Sequence, residues 1–236
     1  MDQFTRTEWL LGEKAVRVLG NSRIAVFGVG GVGGYVVEVL ARSGVGALDL
    51  FDNDKVSITN CNRQIFALLS TIGKYKVDVA EARVRDINPA CKVKTYKMFY
   101  LPGNADEIDL SQYNYVVDCV DTVSAKIELI RRCHRLNVPV ISSMGAAQKL
   151  DPAAFCVADL SKTKMDPLAR VIRKKLREEN ITHVKVVYSE EKPVKPDVPY
   201  PAPASNAFVP AAAGVIIGGE VVKDLIKAYH RKCGSA

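Results

Sequence analysis

The hydrophobic pattern of the chain alternates between two periods over its first 145 residues. Short apolar runs are followed by longer segments in which apolar residues recur every three or four positions. The runs predict strands at 24–27, 47–51, 93–99, 115–120 and 138–142. The segments between them predict helices at 32–42, 74–88 and 124–135. Strands that alternate with helices form parallel βαβ units, so the pattern predicts an α/β fold with a mostly parallel sheet and helices on both faces.

The pattern changes after the fifth predicted strand. Two further strands, 155–160 and 184–188, flank a helix that begins at Asp166-Pro167, where aspartate can cap the helix and proline suits its first turn. Most of the prolines lie in 192–210, which we expect to be irregular. A last helix, 211–230, is small and apolar in its first half. These elements form a C-terminal strand and helix extension.

The composition is that of a globular protein with a basic bias. Hydrophobic residues make up 48% and charged residues 25%, and the net charge is +7. The pI of about 9.0 favours an anionic partner such as nucleic acid or nucleotide. No apolar run reaches the ~18 residues of a membrane-spanning helix, and the N-terminus lacks an apolar signal core. We therefore expect a cytoplasmic protein with no membrane partner.

The cysteines are scattered. No CxxC pair occurs, although zinc sites with sulfur ligands normally show such pairs, so we expect neither a zinc site nor a disulfide framework. A chemical role for a single cysteine stays open. The six are Cys61, Cys91, Cys119, Cys133, Cys156 and Cys233.

A glycine-rich turn follows the first predicted strand. Residues 28–33 satisfy GxGxxG between a strand and a helix. The glycines permit close backbone approach to a nucleotide, and the helix N-terminus favours its negative charge. Asp52 ends the next predicted strand, where a carboxylate can accept hydrogen bonds from ribose hydroxyls. Together these features predict a Rossmann-like nucleotide site; a glycine turn with only a packing role is the alternative.

The residues beyond Asp52 favour a triphosphate over NAD or FAD. Asp54 is followed by two stretches rich in amides and cations, 59–64 and 73–76. A dinucleotide oxidoreductase has no need of this cluster. A triphosphate needs such a cluster, because its charge must be neutralised while the α-phosphorus is attacked.

Two carboxylates follow the fourth predicted strand. Asp118 and Asp121 lie in Asp-Cys-Val-Asp at the carboxyl edge of the sheet, where ligands bind in such folds. One of them could hold Mg²⁺, which prefers oxygen ligands and bridging phosphates. Structural roles are the alternative: Asp118 could cap the following helix, and Arg63 and Lys76 could be solvated cations.

The order of these motifs resembles the ThiF/MoeB/HesA superfamily of ubiquitin-activating-type adenylyltransferases. The shared series is GxGGVG, LxDxDxVxxTNxxRQ, GxxKV and DCxD, and the resemblance covers residues 4 to about 145. Within the superfamily the chain is most similar to the branch of bacterial tRNA threonylcarbamoyladenosine dehydratases. The features that favour this branch are Phe4-x-Arg6-Thr7, Leu11 to Ala15, Ile87-Asn88-Pro89 and the stretch from Asp159 to Ala169.

The resemblance implies an enzyme that uses ATP and Mg²⁺ to dehydrate threonylcarbamoyladenosine in tRNA through an acyl-adenylate. It implies that Asp52 holds the ribose and that Asn60 and Arg63 contact phosphates. Lys76 would steady the α-phosphate, and Asp121 would bind Mg²⁺ through the phosphates. The catalytic set is Arg63, Lys76, Asp121 and Arg6. The ATP-binding set is Gly28, Gly30, Gly31, Gly33, Asp52, Asp54, Asn60, Arg63, Gln64, Lys76 and Asp121.

The resemblance also implies a homodimer in which Arg6 reaches the ATP of the other subunit. The small apolar stretch from Ala211 to Gly219 is a candidate for close packing at that interface. The chain would be a single ThiF-like adenylyltransferase domain, 1–236, with an ATP-binding part at 1–145 and a substrate-binding and dimerisation extension at 146–236. The implied partner is tRNA that carries threonylcarbamoyladenosine, and a cysteine-desulfurase or sulfur-acceptor system is a further candidate.

The predicted helix after Asp166 has a basic face. Its cations recur at i, i+3, i+4 and i+7, and its apolar residues fall on the opposite side, which we expect to pack on the body of the protein. Such a face could track RNA phosphates, as in a tRNA stem-loop, or could simply be the solvated face of an amphipathic helix. The cations are Arg170, Arg173, Lys174 and Arg177, and the apolar residues are Leu168, Val171, Ile172 and Leu176.

Three other functions stay open. An adenylyltransferase that activates the C-terminus of a ubiquitin-like sulfur-carrier protein would share every ATP-site residue. Against it, the zinc-binding CxxC pairs of such relatives are absent, and Cys156 and Cys233 lack the context of a carrier-linking cysteine. An NAD-dependent dehydrogenase needs only GxGxxG and Asp52 and leaves 60–64 unexplained. A non-catalytic module that senses nucleotide is the third.

Overall fold

The computed structural model describes residues 1–195 and 203–233. Its strands are β1 (Arg23–Phe27), β2 (Ala47–Phe51), β3 (Lys92–Tyr96), β4 (Tyr115–Asp118), β5 (Val140–Ser143), β6 (Phe155–Asp159) and β7 (Lys185–Ser189). Its α-helices are α1 (Thr5–Leu11), α2 (Glu13–Gly20), α3 (Gly33–Arg42), α4 (Lys76–Ile87), α5 (Val123–Leu136), α6 (Pro167–Arg177) and α7 (Val209–Cys233).

The strands form one seven-stranded sheet in the order β3-β2-β1-β4-β5-β7-β6. Every neighbouring pair is parallel except β6 and β7, which are antiparallel. The predicted α/β fold, a Rossmann-like and mostly parallel sheet with helices on both faces, is therefore confirmed. The C-terminal extension continues the sheet, because β7 pairs directly with β5.

Apolar side chains on both faces of β1 explain why it lies in the middle of the sheet. Ile24 and Val26 belong to a core shared with α3, α4 and α7. Ala25 and Phe27 point to the other face, into a core shared with α5. Successive residues of a strand alternate between faces, so a strand that is apolar throughout needs helices on both sides.

Two glycines of α7 allow it to pack closely on α3. A Cβ atom at Gly214 would lie 2.4 Å from the carbonyl oxygen of Val32, and one at Gly218 would lie 2.7 Å from Cβ of Val39. Packing within the chain therefore accounts for both glycines without a subunit interface. The small residues that suggested such an interface belong, at these two positions, to the intrachain core.

The elements differ from the sequence predictions mainly at their ends. Helices α1 and α2 were not predicted. Strand β3 ends at Tyr96 and β4 ends at Asp118, because the residues that follow turn towards a cavity. Helix α7 begins at Val209, and 196–202 of the predicted irregular stretch lie outside the described residues. Among the helices that the structure describes, none combines the length and the apolar character needed to cross a bilayer.

Candidate active site

A cavity of about 490 Å³ opens at the carboxyl ends of β1, β2, β4 and β5. Parallel strands place their following loops along the same edge of the sheet, and this edge is where ligands bind in doubly wound folds. Every residue of the predicted ATP-binding set lines the cavity except Gly33, which lies behind the glycine turn. The structure thus brings together residues that span almost a hundred positions of sequence.

The glycines of the turn serve two different purposes. Gly28 has a φ of 85°, and a Cβ atom there would lie 2.7 Å from the carbonyl oxygen of Cys119. A Cβ at Gly33 would lie 1.8 Å from the carbonyl oxygen of Gly28, so packing requires both glycines. At Gly30 the nearest atom, Nε2 of Gln64, would be 3.7 Å away. Packing leaves room for a side chain at Gly30, so packing does not explain the glycine at this position.

Asp52 ties the end of β2 to the glycine turn. Its carboxylate accepts 2.8 Å hydrogen bonds from the main-chain N–H groups of Val29 and Asp54. Burial raises the pKa of Asp52, while the charge of Lys76 and the two N–H donors act in the opposite direction. The carboxylate is held at the cavity wall with its orientation fixed by main-chain donors.

Lys76 is a nearly buried cation at the start of α4. It is 6% exposed, and its Nζ donates a 2.6 Å hydrogen bond to the carboxylate of Asp54. The side chain of Asp54 is 62% exposed, so the partner of the buried ammonium reaches solvent. A buried cation requires an anionic partner. Lys76 thus lies at the cavity wall, paired with a carboxylate that is itself open to solvent.

The loop after β2 presents three polar side chains to the cavity. Nη1 of Arg63 donates to the carbonyl oxygen of Thr59 at 3.0 Å and to Oδ1 of Asn62 at 2.8 Å. Within the described residues, Nδ2 of Asn60 and the side-chain amide of Gln64 have no hydrogen-bond partner. Unpaired donors beside a fixed guanidinium are suited to bind phosphate oxygens.

The two aspartates after β4 have different surroundings. Asp121 is exposed and lines the cavity. Asp118 is fully buried, and its carboxylate accepts hydrogen bonds from Nζ of Lys126 at 3.1 Å and from Oγ of Ser142 at 2.5 Å. Lys126 is itself 1% exposed. Asp118 is therefore the partner of a buried lysine that the sequence did not single out, and only Asp121 is available to a ligand.

A metal at this site would depend on the substrate for most of its ligands. Among the residues that the structure describes, no group of three or more His, Cys, Asp or Glu side chains could hold a metal ion. Mg²⁺ commonly binds through one or two carboxylates together with substrate phosphates and water. The carboxylate of Asp121 fits that arrangement.

The remaining walls come from residues outside the predicted ATP-binding set. They carry no glycine motif or charge pattern, and the fold alone brings them to the cavity. Phe27 stacks on Phe51 with ring centroids 4.2 Å apart, and the edge of Tyr100 packs against Phe27. This apolar wall is suited to a nucleobase. The other such residues are Met98, Phe99, residues 143–147, Leu168, Pro203, Ser205 and Pro210.

Arg6 does not reach the cavity of its own chain. It is exposed on α1 and is absent from the cavity lining. Helix α1 has no buried residue, and its Trp9 and Leu10 are 73% and 83% exposed. Large exposed apolar side chains of this kind are typical of an interaction surface.

The basic face of α6 forms as predicted, with one of its four cations engaged elsewhere. Arg170, Lys174 and Arg177 are exposed and, with Arg173, line a shallow depression. Nη1 of Arg173 donates to the carbonyl and hydroxyl oxygens of Thr163 at 2.8 and 2.6 Å, so it fastens the preceding turn.

The apolar side of α6 differs from the prediction at one position. Val171 is 40% exposed, and the prediction that it packs on the body is wrong. Ala169, Ile172 and Leu176 form the fully buried face instead. The N-cap at Asp166 is confirmed, since its carboxylate accepts a 2.8 Å hydrogen bond from the N–H of Ala169.

Within the described residues, the cysteine that lines the cavity lacks the surroundings of a nucleophile. Cys119 lines the cavity, but burial raises the pKa of its thiol to about 12. Cys156 is exposed on the edge strand β6, away from the cavity lining. The side chain of Cys233 lies outside the described residues. Thiolates attack and thiols do not, so Cys119 is unsuited to covalent catalysis.

Comparison with known proteins agrees with these features. The sequence model of the ThiF family matches residues 5–232. The chain belongs to the ThiF family. It is 47% identical to the tRNA threonylcarbamoyladenosine dehydratase of Bacillus subtilis, and the alignment covers 98% of each protein. The resemblance to the superfamily and its dehydratase branch is therefore confirmed.

Two solved structures of a ThiF-family relative share the whole fold. The crystal structure of Escherichia coli tRNA N6-threonylcarbamoyladenosine dehydratase, TcdA, in complex with AMP has a TM-score of 0.91 and 35% identity. The same protein in complex with ATP has a TM-score of 0.88. Each comparison covers 97% of this chain and 96% of the other. A relative whose structures contain AMP and ATP thus shares this fold over almost its whole length.

Proposed function

We propose that this protein catalyses the ATP-dependent, cyclising dehydration of N6-threonylcarbamoyladenosine in tRNA. The observation that carries the proposal is the convergence of Asn60, Arg63 and Lys76 on one cavity beneath the glycine turn. Near-complete coverage of a named dehydratase, including the extension after β5, supports the choice of substrate over other ThiF-family reactions. Because tRNA modification takes place where tRNA is found, we also expect a cytoplasmic location.

The reaction has two steps. The threonyl carboxylate attacks the α-phosphorus of ATP, which gives an acyl-adenylate and releases pyrophosphate. A carboxylate is a poor electrophile, and as a mixed anhydride with AMP it becomes reactive. The carbamoyl group of the same substituent then attacks the acyl carbon, closes a ring and expels AMP. The net change is the loss of one water from the nucleoside.

The residues of the cavity suit the first step. Lys76 can exchange the carboxylate of Asp54 for oxygens of the α-phosphate, and Arg63 is held by Thr59 to face the leaving pyrophosphate. Charge that develops in the transition state is thereby met by cations already in position. Asp52 would orient the ribose. Mg²⁺, bound by the phosphates and Asp121, would supply further neutralisation of the triphosphate.

The second step depends on the relative position of the two reacting groups more than on any catalytic side chain. The attacking group and the acyl carbon belong to one substituent, and intramolecular reactions of this kind gain several kcal/mol from proximity alone. No nucleophilic side chain is required. The thiol of Cys119 lines the cavity with its pKa raised by desolvation, which agrees with a mechanism without a thiolate nucleophile.

Two exposed surfaces support the proposed partners, tRNA and a second subunit. Exposed Arg170, Lys174 and Arg177 on α6 would contact tRNA phosphates. The exposed apolar residues of α1 support a homodimer in which Arg6 completes the site of the other subunit. The division into an ATP-binding part, 1–145, and a substrate and dimerisation extension, 146–236, belongs to the same proposal. A sulfur-acceptor partner stays a prediction without structural support.

Activation of a ubiquitin-like carrier protein is the second candidate, because it shares the whole ATP site. Pyrophosphate exchange separates the two. Labelled pyrophosphate should enter ATP when threonylcarbamoyl-modified tRNA is present and should not enter with unmodified tRNA. Exchange that depends instead on a carrier protein ending in glycine would favour the second function.

A further inference from the structure

A short segment before α7, here called the strap (residues 204–206), is attached to the phosphate side of the cavity through Asn62. Nδ2 of Asn62 donates a 3.0 Å hydrogen bond to the carbonyl oxygen of Ser205, which lines the cavity. Oδ1 of the same amide accepts the 2.8 Å hydrogen bond from Arg63. One side chain therefore connects the guanidinium of the phosphate site to the main chain of the strap.

The strap is also attached to the cavity wall that follows β5. The N–H of Gln148 donates to the carbonyl oxygen of Ala204 at 2.8 Å, and Nδ2 of Asn206 donates to the carbonyl oxygen of Lys149 at 2.8 Å. These wall residues directly follow 145–147, which line the cavity beyond β5. The strap thus joins the loop that carries Asn62 to the cavity wall that follows β5.

We propose that Asn62 and Asn206 are positioning residues that hold the two walls at a fixed separation through the strap. The inference rests on the proposed function, in which the carboxylate must meet the α-phosphorus and the carbamoyl group must then meet the acyl carbon. Neither amide needs to touch the substrate. Each acts through the strap, and Asn62 acts also through Arg63.

The fate of the acyl-adenylate reports on this role. In the productive step a bond forms between the carbamoyl group and the acyl carbon, the bond from that carbon to AMP breaks, and the carbamoyl group loses one proton. In the competing step water bonds to the acyl carbon, AMP leaves, and the original carboxylate returns. A strap that closes the cavity favours the first step because it orients the substituent and excludes water.

The test compares Asn62→Ala with Asn206→Asp. The first variant removes the bond to Ser205 and leaves Arg63 bound to Thr59 at 3.0 Å. The second removes the donor to Lys149 and keeps the oxygen that accepts from the N–H groups of Phe208 and Val209 at the start of α7. Asn21→Ala is the matched control, because its Nδ2 also donates to a main-chain carbonyl, far from the cavity lining.

For each variant we would measure ATP affinity, cyclisation turnover with modified tRNA, and the ratio of AMP released to nucleoside cyclised. Wild type and Asn21→Ala should give a ratio near one. Both strap variants should bind ATP within about threefold of wild type, cyclise about tenfold more slowly, and release at least about two AMP per product. Because both bonds act on one strap, the double variant should lose less than the product of the two single losses.

The outcomes separate this inference from the proposed function. If wild type forms no cyclised nucleoside, the proposed function is wrong. If wild type cyclises and both strap variants keep a ratio of one and normal turnover, the strap inference is wrong and the function stands. Equal loss of ATP affinity and turnover, with the ratio unchanged, would mean a merely structural role and would also overturn the inference.

Discussion

The ammonium group of Lys76 and the carboxylate of Asp54 are 2.6 Å apart, one almost buried and the other open to solvent. Because the two groups differ in exposure, the ammonium stays inside the cavity wall while the carboxylate of Asp54 stays open to exchange with another anion. A triphosphate that enters beneath the glycine turn offers oxygens in place of the carboxylate. In the proposed mechanism, the pair would provide a charge that is already in position when the α-phosphorus is attacked.

The first prediction concerns this charge and its two neighbours at the cavity. Lys76→Ala, Arg63→Ala and Asp121→Ala should each lower turnover by roughly 10²-fold or more, the scale for losing a contact to charge that develops in the transition state. Single-turnover formation of AMP from ATP and modified tRNA measures the effect. Near-normal turnover in all three variants would remove the site from the mechanism.

The glycine turn gives a matched pair of variants with opposite outcomes. Gly33→Ala forces a Cβ to within 1.8 Å of a carbonyl oxygen and should cost at least about 3 kcal/mol of unfolding free energy, the upper end for overpacking. Gly30→Ala meets nothing closer than 3.7 Å and should keep the wild-type Tm while weakening ATP binding. Thermal unfolding with and without ATP measures both. An equal loss of Tm in the two variants would mean that Gly30 serves packing alone.

Mixed dimers test whether Arg6 acts across a subunit interface. Arg6→Ala and Lys76→Ala subunits are each expected to be inactive alone. In a random equal mixture half of the dimers are mixed, and each mixed dimer has one complete site, so about a quarter of wild-type activity should return. Purified variants at the same total concentration are the control. A mixture as inactive as its components, in protein shown to exchange subunits, would exclude a role in trans.

The exposed cations of α6 should determine how tRNA binding depends on salt. Replacing Arg170, Lys174 and Arg177 by alanine should weaken binding and reduce the slope of log affinity against log salt by roughly two, since each phosphate contact contributes about 0.7 to 0.9. Lys175→Ala, an exposed lysine on the same helix outside the depression, is the control. An unchanged slope in the triple variant would identify the face as merely solvated.

Local patterns were sufficient to predict the sheet and the side of the cavity that we propose binds phosphate. The central strands of the parallel sheet, β1, β2 and β4, are short and mainly apolar, and the loops after such strands must meet at one edge. Asp52, Lys76 and Asp121 therefore could be placed together without knowing the strand order. Asp118 could not be assigned, because its partner Lys126 is a lysine in α5 whose burial no periodicity reveals.

The other side of the cavity could not be predicted for a related reason. It is assembled from segments after β3 and β5 and from the strap, which meet only when the sheet is complete. The hydrogen bonds of Asn62 and Asn206 join residues far apart in sequence, and an asparagine in a loop gives no sign of its partner. The contacts of Arg173 could not be predicted either. Its spacing on α6 matches the basic face, yet its guanidinium donates a hydrogen bond to Thr163.

The mass of the modified nucleoside tests the central claim most directly. The protein would be incubated with Mg²⁺, ATP and tRNA that carries threonylcarbamoyladenosine, and the tRNA would then be digested gently and analysed by mass spectrometry. The account predicts a nucleoside lighter by one water, formed together with AMP and pyrophosphate. An unchanged nucleoside, in a preparation shown to bind ATP, would contradict it.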